Sequence, residues 1–355
     1  MASCGKARTR WLRKLSRFVD RLGVFEEPAG PHERSSQVHF TVDSYAKSIV
    51  LDSSQSLHRS TSRRFADAIL FSTAMMWGIN IIVFKHAIGD FNPWVFNALR
   101  LVFATITLGI LAWLEAKFWP KPVGKVDWRR VLAFCFLSGF FYLLLFVKGI
   151  ELTTAGNTAL ILASMPMWTA ALSFFFLHER LPWITWLGLF ITFVGTVIVT
   201  TQSSGPVNLA GEFVVGNLLM LCAAITWASG TVVSKSILES FSPLRLAFIS
   251  AMLTTPLHLA LVARELPGAL AAALEPRTLL AIVYSGVFST GVAYATWHAG
   301  VRAVGGSHAA VYQNVVTLVA VIGGWLFLKE QPLLAQVLGG CLTVAGLLLM
   351  RRGRR

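Results

Sequence analysis

The chain has 355 residues, of which 55% are apolar and 14% charged, with a mean hydropathy of +0.64. Soluble domains carry about 25% charged residues, so an ordinary soluble enzyme is excluded, as are a disordered chain, a collagenous chain and a disulfide scaffold. The formal net charge of +14 is unevenly spread: residues 1–65 hold 12 of the 31 Lys and Arg, and most of the rest sit in short clusters between long apolar runs.

Residues 1–65 read as a basic tail. The first 30 carry no apolar run of about 7–15 residues, so they do not read as a signal peptide. Trp11, Leu15, Phe18 and Leu22 recur at helical spacing among Arg8, Arg10, Arg13, Lys14, Arg17 and Arg21. That pattern suits an amphipathic helix lying on an anionic inner leaflet. A poorly ordered extension and an organelle transit peptide are the alternatives. Residues 26–65, rich in Ser, His and Arg, read as a disordered linker.

From residue 66 the chain reads as apolar runs long enough to cross a bilayer, about 20 residues each. Ten are expected, over 66–86, 93–114, 130–148, 154–177, 183–201, 213–234, 243–263, 278–298, 304–328 and 333–350. The expected fold class is therefore an all-α integral membrane protein with ten transmembrane helices. Strands of a barrel would instead alternate over about ten residues. With the N-terminus inside, 25 Lys and Arg fall in inner segments and 5 in outer ones. The positive-inside rule then puts both termini in the cytoplasm of a multi-pass cell (inner) membrane protein. Cys4, Cys135, Cys222 and Cys341 lack metal or redox spacing and read as small apolar residues.

The sequence repeats itself. Trp77, Lys85 and Pro93 match Trp227, Lys235 and Pro243 at an offset of 150, and Gly149, Glu179, Gly188 and Gly195 match Gly300, Glu330, Gly339 and Gly346 at 151. Phe-Leu-His-Glu at 176–179 answers Phe-Leu-Lys-Glu at 327–330. Five spans per copy is an odd number, so the second copy is threaded upside down. The expected organisation is a tail over 1–65, repeats over 66–201 and 213–350, an extracytoplasmic linker over 202–212 and a basic C-terminus over 351–355. Inverted repeats give secondary transporters two exchangeable states, with the substrate near the bilayer midplane.

These residues resemble the EamA module of the drug/metabolite transporter superfamily. The first copy shows Thr154-Ala155-Gly156-Asn157, a mid-helix Pro166, Phe-Leu-His-Glu-Arg-Leu and a Gly-rich fifth span. The second shows Gln313-Asn314-Val315-Val316 and Phe-Leu-Lys-Glu-Gln-Pro. The resemblance covers about 66–350. It implies ten spans, cytoplasmic termini and transport of small metabolites, often outward. The family often has Pro where this chain has Thr317, so the ninth span is expected to kink less. The long basic tail is unusual for the family.

Polar groups inside spans are costly unless they find a partner or water, so they mark cavity candidates. In the fourth span Asn157, Ser164 and Trp168 follow helical spacing. The offset maps Asn157 to His308 and Ile161 to Tyr312, giving an opposite wall; alternatively Asn157 and His308 sit in water at span ends. Trp77 and Asn80 share a face of the first span, and Trp227 repeats Trp77, offering aromatic walls or ordinary packing. Tyr294 and His298 are one turn apart, as are Ser285 and Ser289; His298 suits proton coupling or a structural role.

Arg100 lies well inside the second span, with Asn97 one turn earlier to share its hydrogen bonds. The resemblance implies a basic residue near this position and favours a structural role over substrate binding. Lys85 and Lys235 are expected to snorkel to opposite interfaces or to form gate contacts. Glu179 and Glu330 read as turn carboxylates capping the next helix. The glycines of the fifth and tenth spans allow close helix approach, within the fold or in a homodimer.

Gly230-Thr-Val-Val-Ser-Lys235-Ser236 lacks the glycine a phosphate loop needs before its lysine. No His-Glu-x-x-His or Gly-x-Ser-x-Gly motif is present, the eight His do not cluster with metal spacing, and lipid is the nearer polyanion for a basic tail on a membrane-anchored chain, so no cofactor, metal or nucleic-acid partner is expected. The expected function is alternating-access export of a small amino-acid-like or amphipathic metabolite. A nucleotide-sugar or drug carrier, a membrane enzyme on lipid substrates and a transport-dead scaffold remain alternatives.

Overall fold

The computed structural model describes residues 42–119, 124, 126–178, 180–201, 211–304 and 312–352. The amphipathic stripe expected near residues 11–22, Glu179 and His308 lie outside them. All regular structure among the described residues is helical. The first helix, α1, spans Val42–Ala87, with its apolar part at Arg64–Ala87. Then follow α2 (Pro93–Phe118), α3 (Trp128–Leu152), α4 (Ala155–Leu177), α5 (Trp183–Thr201), α6 (Glu212–Leu238), α7 (Pro243–Leu261) and α8 (Pro276–Val301). Two shorter apolar helices complete the set, α9 (Gln313–Leu328) and α10 (Leu334–Arg352). Eight helices are long and apolar enough to cross a membrane, and α9 and α10 bring the total to the expected ten.

The helix starts have local causes. Asn92 Oδ1 accepts from the Trp94 and Val95 amides, and Pro93 supplies a preset φ at the start of α2. Asp127 caps α3 and Thr154 caps α4 through the Asn157 amide. Three details differ from the sequence reading. The segment read as a linker is helical from Val42, because 42–65 contains neither Gly nor Pro to stop a helix propagating from the apolar stretch. The second helix runs to Phe118, four residues past the expected end at 114, and so includes Glu115. A short helix, Leu266–Ala273, lies between α7 and α8, outside the expected spans.

Two compact units are present, Met1–Ser72 with Thr296–Ala309, and Thr73–Ala295 with Ala310–Arg355. In the smaller, Leu70 lies so close to Gly300 that a Cβ there would sit 2.5 Å from its Cγ. In the larger, the most extensive interface joins α5 to α10. Gly188 faces the Gly346 carbonyl and Gly195 the Gly339 carbonyl, where a Cβ would lie 2.6 and 2.5 Å from the oxygen. These glycines therefore serve internal packing. Large apolar side chains remain outside: Trp183, Phe190, Leu280, Phe327 and Leu334 are 64–75% exposed, as a lipid-facing surface requires.

Two helices depart from regular geometry. In α3 the segment Cys135–Phe141, and in α8 the segment Tyr284–Val292, form π-helical turns. The repeat register maps one onto the other. Each holds a Ser-Gly pair, and its glycine permits close approach: a Cβ on Gly139 would lie 2.5 Å from Ser250 Oγ, and one on Gly286 2.3 Å from the Arg100 carbonyl. Helix α4 is discontinuous, with Ala155–Leu162 and Met165–Leu177 as separate pieces. Pro166 starts the second piece and cannot donate to the first. Helix α9, which carries Thr317, runs unbroken from Gln313 to Leu328.

Candidate functional site

A cavity of about 280 Å³ lies in the larger unit, near the middle of the spans. Helices α1–α4 and α6–α9 line it; α5 and α10 do not. Its aromatic walls are Trp77, Phe134, Tyr142, Phe146, Trp227 and Tyr294, and its aliphatic hydroxyls belong to Ser138, Ser250, Thr254, Ser289, Thr290 and Thr317. Several lining residues are repeat equivalents: Trp77 with Trp227, Ser138 with Ser289, Leu162 with Gln313, and Met165 with Val316.

The π-helical segments shape this space. An extra residue per turn rotates the side chains that follow and redirects carbonyls, which is why such turns recur at functional sites. Three of these carbonyls take side-chain donors. Trp77 Nε1 donates to the Ser289 carbonyl at 2.9 Å, Thr290 Oγ1 to the Ser285 carbonyl at 2.9 Å, and His258 Nε2 to the Gly139 carbonyl at 3.2 Å. Tyr142 rests against Trp227 with ring centroids 4.8 Å apart.

Arg100 lines the cavity and is 5% exposed. A charged group this deep costs about 2.5–3.5 kcal/mol on the insertion scale unless it is solvated or paired. Its Nε and Nη2 donate to Asn97 Oδ1 at 3.1 and 2.9 Å, its Nη1 to Thr290 Oγ1 at 3.3 Å, and its plane lies 5.2 Å from the Phe84 ring centroid. Asn97 Nδ2 then donates to His258 Nδ1 at 3.4 Å. The Gly139 carbonyl only accepts, so His258 carries its proton on Nε2 and accepts at Nδ1. The chain of bonds Arg100–Asn97–His258–Gly139 thus ties α2 and α7 to the π-helical turn of α3. Sequence reading found the Arg100–Asn97 pair and missed His258; its one available signal was a histidine inside an apolar span.

Among the sequence candidates, Trp77, Asn80, Arg100, Trp227 and Tyr294 line the cavity. Asn157, Ser164 and Trp168 do not. The break after Leu162 ends the straight helical face that their spacing assumed. Asn157 is buried and donates to Asn217 Oδ1 at 3.2 Å, while Asn217 Nδ2 donates to the Thr200 carbonyl. Ser164 closes the break, donating to the Ile161 carbonyl and accepting from Trp168 Nε1. Trp168 packs beside Met167 and Leu189. Tyr312 stands at the start of α9, also off the lining, and His298 belongs to the smaller unit.

The charged candidates hold helix ends. Lys85 Nζ donates to the Ile150 and Glu151 carbonyls at 2.8 and 3.1 Å, at the end of α3 where the helix dipole is negative. Lys235 donates to Ser173 Oγ at 2.9 Å. Neither is a freely snorkelling side chain. Glu330 does cap a helix, but not the next one: its Oε1 and Oε2 accept from the Ala155 and Gly156 amides of α4 at 2.7 and 2.9 Å. Lys329, at φ 56°, turns the chain so that the carboxylate points across the repeats, and His178 has the equivalent left-handed geometry at φ 53°. Glu115 accepts a hydrogen bond from the Ser242 hydroxyl at the start of α7.

Two five-helix repeats around a mid-span cavity define a multi-pass membrane transporter. The EamA-like transporter family matches the chain twice, over residues 64–201 and 214–352. This chain belongs to that family. It is similar to the uncharacterized transporter YoaV of Bacillus subtilis (strain 168), 22% identical over 79% of this chain and 94% of the relative. An uncharacterized transporter of Archaeoglobus fulgidus is 24% identical over 81% and 98% of the two chains. The WAT1-related protein At3g02690, chloroplastic, of Arabidopsis thaliana is 23% identical over 79% and 68%. A solved crystal structure shares the fold at a TM-score of 0.56 and 20% identity, covering 81% of this chain and 96% of the other.

Proposed function

We propose that this chain is a secondary transporter, not an enzyme, that exports a small amino-acid-like or amphipathic metabolite by alternating access. The observation that carries this reading is the cavity, mid-span and walled by equivalent residues of both repeats such as Trp77 and Trp227. Exchanging the conformations of the repeats would move its opening from one membrane face to the other. At about 280 Å³ it suits a small solute rather than a nucleotide-sugar. In this reading the repeats occupy 66–201 and 213–350, both termini lie in the cytoplasm, and the basic tail over 1–65 rests on the anionic leaflet of the cell membrane.

The test expresses the protein and an Ala251→Phe variant, which fills the cavity, in a host lacking the transporter. Medium and cytosol are then profiled by mass spectrometry. A compound enriched outside only with the intact protein is expected. Equal profiles at equal membrane levels would sink the exporter reading. Single cysteines at 207 and 124 should label from outside and inside respectively; the reverse would overturn the orientation.

A further inference from the structure

We propose that the cavity binds its solute by a carboxylate, held by Arg100, with an apolar or aromatic body lying between Trp77 and Trp227; this rests on the cavity being the transport site. Among the described residues, Arg100 is the charged one lining the cavity, and no Asp or Glu lines it. Among the described residues no carboxylate comes within 4.0 Å of the guanidinium, since the ion pairs there join Arg130 to Asp127 and Lys148 to Glu151. A guanidinium has five N–H donors. Asn97 and Thr290 take three, which leaves one on each terminal nitrogen.

A carboxylate completes this site in charge and in geometry, because two N–H groups of one guanidinium fit two carboxylate oxygens. The aromatic residues supply the matching apolar surface. A second group points to a ligand. Asn80 lines the cavity, and its buried amide oxygen has no hydrogen-bond partner among the described residues. It offers an acceptor to a hydroxyl or ammonium on the same solute. Size agrees: an apolar cavity of roughly 150 Å³ accepts benzene, so about 280 Å³ holds one ring with a short carboxylate-bearing substituent.

The test uses full-length protein in nanodiscs and four probes of matched shape: benzoate, phenylalanine, benzamide and benzylamine, each at about 10 mM, where millimolar binders shift the unfolding midpoint by mass action. Benzoate and phenylalanine are expected to raise the midpoint, with phenylalanine favoured over benzoate if Asn80 engages the ammonium. Benzamide and benzylamine are expected to leave it unchanged. Arg100→Gln should weaken benzoate at least tenfold, and Arg100→Lys should keep the order of the probes. Because the wild-type series alone decides the charge preference, a variant that fails to fold leaves the test intact. An equal or larger shift with benzamide or benzylamine, abolished by Ala251→Phe, would overturn the anion and keep the cavity. No shift with any probe would overturn the proposal, and if Ala251→Phe also still exported, the transport site would lie elsewhere.

Discussion

Thr105 and Thr255, 150 positions apart, join their hydroxyls in a hydrogen bond of 2.8 Å. They are equivalents in the register that pairs Trp77 with Trp227. A residue that touches its own equivalent lies on the pseudo-two-fold axis relating the repeats, so the axis passes between α2 and α7. Thr192 and Thr343, equivalents in the other register, meet at 3.5 Å between hydroxyl and carbonyl, which carries the axis between α5 and α10. Gly188 opposes Gly346 while Gly195 opposes Gly339, the crossed arrangement that such an axis imposes on two antiparallel helices.

The Thr105–Thr255 bond should behave as a coupled pair. Interhelical hydrogen bonds in membranes average about 0.6 kcal/mol by double-mutant cycle. Thr105→Val and Thr255→Val should each destabilise by up to about 1 kcal/mol, and the double variant by less than their sum. Unfolding of the four proteins in detergent with increasing denaturant measures this. Strict additivity would show that the hydroxyls bond elsewhere.

The repeat, the ten spans and the Gly-rich fifth and tenth helices were legible because each is a pattern over many residues. The offset also identified Trp77 and Trp227 as equivalents. What could not be read depended on local departures from helical regularity. The spacing of Asn157, Ser164 and Trp168 assumes a straight helix, and the break at Leu162–Met165 turns those side chains onto Asn217, Ile161 and Met167 instead. The π-helical turns over Cys135–Phe141 and Tyr284–Val292 were hidden because nothing in an apolar run announces one extra residue per turn. The partner of Glu330 lies 174–175 positions away, beyond any local rule.

Packing of α5 on α10 sets a steep cost for added volume. Gly195→Ala would bring a Cβ to 2.5 Å from the Gly339 carbonyl, where only backbone movement relieves it. The expected loss is about 1–3 kcal/mol or more, seen as a lower yield of folded protein after detergent extraction. Gly268→Ala is the control: nothing lies within 4 Å of its Cβ, and it sits in the short helix Leu266–Ala273. That change should be neutral or stabilising by up to about 1 kcal/mol. A tolerated Gly195→Ala would mean that α5 and α10 are less closely apposed.

His258 positions Arg100 through Asn97. Replacing it by leucine strands the Asn97 amide and the Gly139 carbonyl, at about 1–3 kcal/mol for buried groups left unpaired. His258→Gln can restore one of the two bonds and should recover part of that stability. The same variants should weaken benzoate relative to benzamide, because an Asn97 side chain that has lost its bond to His258 no longer fixes the guanidinium. Thermal unfolding with and without each probe separates the two effects. Stability lost without any change in probe order would confine His258 to packing.

Glu330 fastens the repeats at the end of the spans where α9 finishes, since its carboxylate holds the first two amides of α4 from the other repeat. Helix N-termini favour negative charge by about 0.3–1 kcal/mol when exposed and more when partly buried. One turn deeper, Thr317 Oγ1 meets the Ala159 carbonyl at 3.5 Å, and Ala159 and Thr317 already line the cavity. The carboxylate therefore bridges the start of α4 and the end of α9 on that side. Glu330→Gln removes the charge. Gly324→Ala keeps it but sets a Cβ 2.6 Å from Oε2, displacing the carboxylate from the Ala155 and Gly156 amides. Both should raise, several-fold, the rate at which an impermeant maleimide applied on that side labels a Ser138→Cys cavity reporter in a background without native cysteines. Unchanged labelling with reduced folded yield would make Glu330 a structural cap alone. Faster labelling in both variants, one removing the charge and one keeping it, would have loss of the carboxylate from the Ala155 and Gly156 amides as the one feature they share.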